Sequence, residues 1–187
     1  MNYEYTKNWF YNSSLYFNAL TLLPKDKIYN ILEIGSYEGL SSCFFSDNFL
    51  DFEGSSLDCV DPFLNDENND HKSLLDNYEE LRFDSNIGNS KNYDKVKIHK
   101  ITSDDFFKEN NNIFNFIYID GCHLNTCVEK DLINSFNVLE KNGIIWMDDY
   151  GGGTDENNMR KIVDDFILKN NCEIILKGYQ IAFIKNN

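Results

Sequence analysis

The chain has 187 residues, 42% hydrophobic and 15% aromatic, and its 17 Lys plus Arg face 31 Asp plus Glu for a formal net charge of −14. With 15 Phe, 11 Tyr and 2 Trp there is material for one folded core, which argues against a disordered acidic chain. An acid excess with only two arginines, Arg82 and Arg160, repels a polyanion, so nucleic acid is a poor partner.

No apolar run approaches the roughly 20 residues of a bilayer span, and Met1-Asn2-Tyr3-Glu4-Tyr5 has neither a basic nor an apolar leader region. A soluble, cytoplasmic protein with no membrane partner is expected. The five cysteines, Cys43, Cys59, Cys122, Cys127 and Cys172, include no CxxC pair, which suits reduced thiols better than a disulfide or zinc framework.

Taken in chain order, strands and helices alternate, the pattern of a parallel sheet covered on both faces. The spacing of Trp9, Phe10, Leu15, Tyr16, Ala19, Leu20 and Leu23 predicts an amphipathic helical segment within residues 1–27, ending at Pro24. Residues 28–34 read as a first strand breaking at Gly35, followed by a helix carrying Leu40, Cys43, Phe44 and Leu50. A second strand, 55–61, stops at Pro62. Residues 63–90 are polar and read as an insertion or lid, with a short helix around Leu74, Leu75, Tyr78 and Leu81. A third strand is expected at 95–101, then a short helix with Phe106 and Phe107, then a fourth strand at 115–120. The helix from about Asn125 presents Val128, Leu132, Ile133, Phe136 and Leu139, and Asn142-Gly143 is read as its stop. A fifth strand at 143–149 leads through Gly151-Gly152-Gly153 to a helix with Met159, Ile162, Val163, Phe166 and Ile167. Residues 173–184 form two strands joined near Lys177-Gly178.

Two constellations carry chemistry. Glu33-Ile34-Gly35-Ser36-Tyr37-Glu38-Gly39 sets a glycine turn between strand and helix, where N–H groups can face an anionic ligand, although a tight turn alone would account for it. Asp61 ends the next strand about 25 residues on, where a carboxylate can accept from two ribose hydroxyls. The second constellation is Asp120-Gly121-Cys122-His123 after the fourth strand together with Asp148-Asp149 after the fifth. In a doubly wound sheet these strand ends share one edge. Three converging carboxylates suit a hard divalent cation, Mg²⁺, Ca²⁺ or Mn²⁺, with Mg²⁺ first.

The segment Glu33 to Ser41, read E-x-G-x-Y-x-G-x-S, resembles motif I of class I S-adenosylmethionine-dependent methyltransferases in its catechol O-methyltransferase-like form. Trp9-Phe10, the run from Arg82 to Ile87, that from Phe116 to His123 and that from Gly143 to Tyr150 resemble, in order, segments of methyltransferase family 24. The resemblance implies a single Rossmann-like α/β domain over residues 1–187, with a mostly parallel seven-stranded sheet and an antiparallel last strand. It implies that Glu33, Gly35, Ser36, Tyr37, Gly39 and Ser41 surround S-adenosyl-L-methionine, with Ser41 on its methionyl carboxylate. Asp61 would hold the ribose, Ser103 and Asp104 the adenine, and Asp120 would border the cofactor.

Asp120, Asp148 and Asp149 match the branch's divalent-metal positions, though many catechol-type enzymes carry Asn where this chain has Asp149. His123 matches the general base that a developing alkoxide needs. The implied activity is O-methyl transfer to a small hydroxylated acceptor, with a sugar or glycan precursor as the candidate and room for a homo-oligomer. A hydride-transferring Rossmann enzyme and a non-catalytic S-adenosylmethionine-binding module remain the alternatives. His71 and His99 are assigned no part in catalysis.

Overall fold

The computed structural model describes residues 2–10, 19, 21–63, 78–152 and 159–186. Its strands are β1 (Asn30–Ile34), β2 (Ser56–Val60), β3 (Val96–His99), β4 (Phe114–Ile119), β5 (Leu139–Met147), β6 (Glu173–Lys177) and β7 (Ile181–Ile184). Its helices are α1 (Leu40–Phe49), α2 (Glu79–Asn89), α3 (Ser103–Glu109), α4 (Asn125–Val138) and α5 (Met159–Lys169), with one 3-10 turn at Tyr93–Lys95. The sheet order is β3-β2-β1-β4-β5-β7-β6. The first five strands pair in parallel, and β7 runs antiparallel to both β5 and β6.

Burial on both faces explains the apolar strands: all six residues of β4, Phe-Asn-Phe-Ile-Tyr-Ile, are buried, as expected for a central parallel strand. Alternation sends Ile31, Phe116, Tyr118 and Trp146 to one core with Phe44, Phe45, Phe83 and Ile87. Leu32, Ile117, Ile119 and Ile145 go to the other with Phe106, Val128, Leu132 and Val163. Chain order reverses between β1 and β4, and ligands of such sheets gather at the carboxyl ends beside that switch.

The structure departs from the sequence reading at three places. Asn142-Gly143 does not stop a helix. The α4 helix ends at Val138, and the dipeptide lies in β5 at a register shift opposite β4, where Asn142 takes φ 62. That is a bulge, which Asn and Gly favour for the same backbone reason as a helix stop. The second half of the expected insertion is built into the domain: α2 buries Phe83, Asn86 and Ile87, whereas Tyr78 and Leu81 are exposed. Ile133, expected on the apolar face of α4, is also exposed. Leu74, Leu75, His71 and Gly153 lie outside the described residues, as does most of the opening helical segment, of which residues 19, 21 and 22 are helical. Among the described residues no helix is long and apolar enough to cross a membrane.

Phe45 has no exposed surface and its ring lies 5.5 Å from that of Phe116 and 5.6 Å from those of Phe44 and Tyr118. Truncation leaves a cavity that these rings cannot all fill. Phe45→Ala is expected to lower stability by about 3–5 kcal/mol in urea denaturation; a loss under about 1 kcal/mol would contradict this packing.

Candidate active site

Four residues just past the parallel strands extend the ladder by one hydrogen bond each. The N–H of Asp61 donates to His99 (3.1 Å), that of Gly35 to Val60 (2.9 Å), that of Asp120 to Ile34 (2.8 Å) and that of Asp148 to Ile119 (2.9 Å). Asp61, Gly35, Asp120 and Asp148 therefore sit in one row along the carboxyl edge. The sequence expectation that these acids share an edge with the glycine turn describes this row.

At the turn, Gly35 has φ 85, and a Cβ there would lie 2.0 Å from the Asp120 carbonyl oxygen. Gly39 has φ 81, and its Cβ would lie 3.0 Å from the Phe83 ring. Both glycines thus answer to the chain's own packing, with left-handed backbone that glycine adopts freely. The Ser36 and Tyr37 N–H groups each donate to Asp61 Oδ2 at 2.9 Å, and the Phe63 N–H donates to Oδ1 at 2.8 Å. Burial pushes the Asp61 carboxyl up, against the pull of these donors.

Glu33 has no exposed surface. It accepts from Ser36 (2.8 Å) and Ser41 (2.5 Å), and also from Ser42. Burial raises its carboxyl and the serine hydroxyls oppose the rise. Ser41 Oγ is thereby turned onto Glu33. The α1 helix has no side-chain cap and no acid in its first turn, so its leading N–H groups keep the anion-binding capacity of a helix start.

Glu38 points away from the edge: Arg82 Nε donates to it at 2.5 Å, and Thr6 reaches it through N–H (2.6 Å) and Oγ1 (2.7 Å). Asn86 bonds the Glu4 carbonyl and N–H and the Glu38 carbonyl, each at 2.8 Å, and Trp9 packs on Tyr37 with ring centroids 5.1 Å apart. The N-terminal segment is strapped over the turn. Sequence reading missed Thr6 and Asn86 in this role; Arg82 and Asn86, one helical turn apart, were its available signal.

On the other side of the switch, the Tyr118 hydroxyl lies 2.7 Å from Asp148 Oδ2 and 3.1 Å from Asp120 Oδ2. The Asp149 N–H donates to Asp148 Oδ1 at 2.8 Å. Burial first, then the Asp148 and Asp149 charges, push the Asp120 carboxyl well up. Asp148 is raised by burial, with Tyr118, the Asp149 N–H and Gln180 countering. Asp149 has φ 53; its Oδ2 lies 3.0 Å from His123 Nε2, and the Tyr179 hydroxyl donates to its Oδ1. Gln180 is fixed from behind by the Trp146 indole N–H at 3.0 Å. Tyr118, Tyr179 and Gln180 were read from sequence as strand or turn residues, and only the fold brings their polar tips here.

Ser103 and Asp104 open α3, whose cap is Thr102, accepting from the Asp105 N–H at 3.2 Å. Their polar groups face α4: Asp104 pairs with Lys130 at 2.7 Å, and Ser103 hydrogen-bonds Asp131. The His99 side chain turns to Asp58, 2.7 Å away, and no disulfide joins the cysteines of the described residues.

Burial pushes Asp131, 3% exposed, from 3.8 up to about 6. Between those values the folded chain holds a proton that the unfolded chain has lost, so this group's contribution to stability falls as pH rises from about 4 to 6. The cost above that window is on the order of 3 kcal/mol. Asp131→Asn should therefore gain stability relative to the parent at pH 7.5 over pH 4, read by urea denaturation. An equal difference at both pH values would refute the burial argument.

No curated protein matches the sequence. The O-methyltransferase TomG from Streptomyces achromogenes, solved with S-adenosylmethionine, superposes with a TM-score of 0.61 at 12% identity over 92% of this chain and 78% of that one. An O-methyltransferase from Bacillus cereus, solved with S-adenosylhomocysteine, gives 0.58 at 16% identity over 91% and 88%. CalS11, the TDP-rhamnose 3'-O-methyltransferase of calicheamicin biosynthesis, gives 0.61 at 12% over 92% and 76%. These likenesses show the fold. The family model of methyltransferase family 24, described as a methyltransferase domain, matches residues 32–150, from β1 through the loop after β5, and the chain belongs to that family of class I methyltransferases.

Proposed function

We propose that this methyltransferase transfers the methyl group of S-adenosylmethionine to a hydroxyl of a small acceptor, with a divalent cation at the acidic edge. The row of Asp61, Gly35, Asp120 and Asp148 carries the reading, because it sets the glycine turn with Asp61 and an acid-rich half side by side across the switch point. S-adenosylmethionine supplies the electrophilic methyl on a sulfonium, so the chain must bind, orient and deprotonate.

On the cofactor side, three of the roughly four lone-pair sites of the Asp61 carboxylate take backbone N–H groups, two at Oδ2 and one at Oδ1, which leaves one acceptor site at Oδ1. That suits a ribose hydroxyl. The methionyl carboxylate would be received by the leading N–H groups of α1, Ser41 among them, while the Ser41 hydroxyl holds Glu33. Glu33, Ser36, Tyr37, Gly35 and Gly39 act by fixing this turn. A pyrophosphate-binding reading is weaker, since the Ser36 and Tyr37 N–H groups it would use are given to Asp61.

The donor set on the other side, carboxylates with an imidazole at their rim, fits a divalent ion, and a cation among them relieves their mutual repulsion. A hydroxyl brought to this edge would lie within reach of groups able to take its proton, the part that the family resemblance gives His123. A sugar or glycan precursor is the acceptor class we favour; the TDP-rhamnose activity named for a structural neighbour supports it.

Calorimetric titration should show binding of S-adenosylmethionine and S-adenosylhomocysteine but not of NADH. Asp61→Asn is expected to weaken the adenosyl ligands about tenfold, equivalent to ~1.4 kcal/mol. Transfer of labelled methyl to a panel of sugars, nucleotide sugars and catechols then identifies the acceptor. Binding of NADH in place of both adenosyl compounds would overturn the proposal.

A further inference from the structure

One face of the sheet carries polar groups where a parallel sheet is ordinarily apolar. Asn30 and Ser56 open β1 and β2 as register partners, and Asp58 follows on the same side, paired with Lys97 of β3. The α3 helix, seven residues long, packs over the carboxyl half of that side, where the Phe106 ring meets His99 at 4.9 Å. The strand starts beyond it floor a cavity of about 170 Å³, which Asn112, Ile113 and Phe114 close from the β4 side. This cavity lies towards the amino ends of the strands, away from the carboxyl edge of the proposed reaction.

Asp58 is 1% exposed. His99 Nε2 lies 2.7 Å from its Oδ1 and donates to it, because an ionised carboxylate only accepts. No described residue donates to Asp58 Oδ2, and Lys97 has no acid on its ammonium among the described residues. The two side chains are register partners on neighbouring strands, yet they form no ion pair with each other. The cavity is thus walled by a buried carboxylate with one open oxygen and by an ammonium of opposite charge. A lone cation would be drawn to Asp58 and repelled by Lys97, and a lone anion the reverse. A ligand carrying both charges satisfies both groups. The space is close to that which takes benzene, so it limits the ligand to about six to eight heavy atoms.

We propose that this cavity binds a small aliphatic α-amino acid, with its ammonium on Asp58 Oδ2, its carboxylate on Lys97 Nζ and its side chain against Ile113 and Phe114. Asn30 and Ser56, joined to each other only across 3.4 Å, supply further polar contacts with Asn112. The site stands whether or not the carboxyl edge transfers methyl groups.

The test is a titration of the ¹⁵N-labelled full chain with L-alanine, read at the backbone amides by nuclear magnetic resonance. Saturable shifts are expected at residues 30, 56–58, 97 and 112–114, with a dissociation constant in the millimolar range. Propionate and ethylamine, which each lack one charge, and propane-1,2-diol, which lacks both, should bind at least about tenfold more weakly. Lys97 is exposed on the edge strand β3, so Lys97→Ala should fold and weaken L-alanine at least about tenfold. Asp58→Asn should do the same, and where it fails to fold the Lys97 variant decides. The proposal is overturned by the absence of saturation up to about 50 mM L-alanine, or by propionate or ethylamine binding as tightly as the amino acid. Unchanged affinity in Lys97→Ala would also overturn it, as would shifts confined to the glycine turn at the carboxyl edge.

Discussion

The close approach of β1 and β4 at their carboxyl ends is the constraint on which the site depends. A Cβ at Gly35 would stand 2.0 Å from the Asp120 carbonyl oxygen and 2.8 Å from the Gly121 Cα, so any side chain there must push the two strand ends apart. Separation would break the Asp120 N–H bond to Ile34 and take Asp120 out of line with Asp61. The glycine of the motif therefore contributes twice, through a left-handed turn and through a contact that only hydrogen can fill. The two halves of the site share that single contact as their common support.

A second constraint is the cost of gathering acids at a buried edge, several kcal/mol for each unpaired ion. Each carboxylate meets it differently. Glu33 draws on serine hydroxyls from its own turn and from α1, Asp61 on three backbone N–H groups, and Glu38 on Arg82 and Thr6. Asp120 and Asp148 share one phenol. The first three are satisfied inside the protein, which makes them supports for the turn. At the acidic edge Asp120 and Asp148 share that phenol, and Asp148 takes a further N–H from Asp149. The net charge of −14 is thus no guide to the site; acids such as Glu80 and Asp84 are paired with Lys100 at the surface.

The fold was legible wherever burial dictates pattern. Strands β1, β4 and β5 read as apolar runs because both faces are covered, and the acids at their ends were recognisable because a strand end fixes an edge. Asn142-Gly143 was misread because a helix stop and a bulge call on the same left-handed backbone, and only pairing with β4 and β7 distinguishes them. The α2 helix was read within a polar insertion because its polar outer face dominates the sequence, while Phe83 and Ile87 join the core cluster that α1 and β1 also supply. Tyr118, Tyr179 and Gln180 were illegible for a related reason. An aromatic residue in a strand reads as packing, and the hydroxyl at its tip acquires a role only when a distant loop supplies the acid.

That dependence also accounts for Asp rather than Asn at position 149. Both residues tolerate φ 53, so the backbone does not decide between them. What decides is the pair of groups facing the side chain: the Tyr179 hydroxyl on Oδ1 and His123 Nε2 on Oδ2. A carboxylate accepts at both oxygens, whereas an amide accepts at one and presents N–H groups at the other. Tyr179 reaches this position because Gly151 and Gly152 put no side chain in its way: a Cβ at Gly151 would lie 2.7 Å from the Tyr179 Cα, and one at Gly152 3.1 Å from its hydroxyl oxygen. The glycines after β5 thus do for the β6–β7 hairpin what Gly35 does for β4. They let a neighbouring segment close on the edge and bring a donor to an acid that sequence order places 30 residues away.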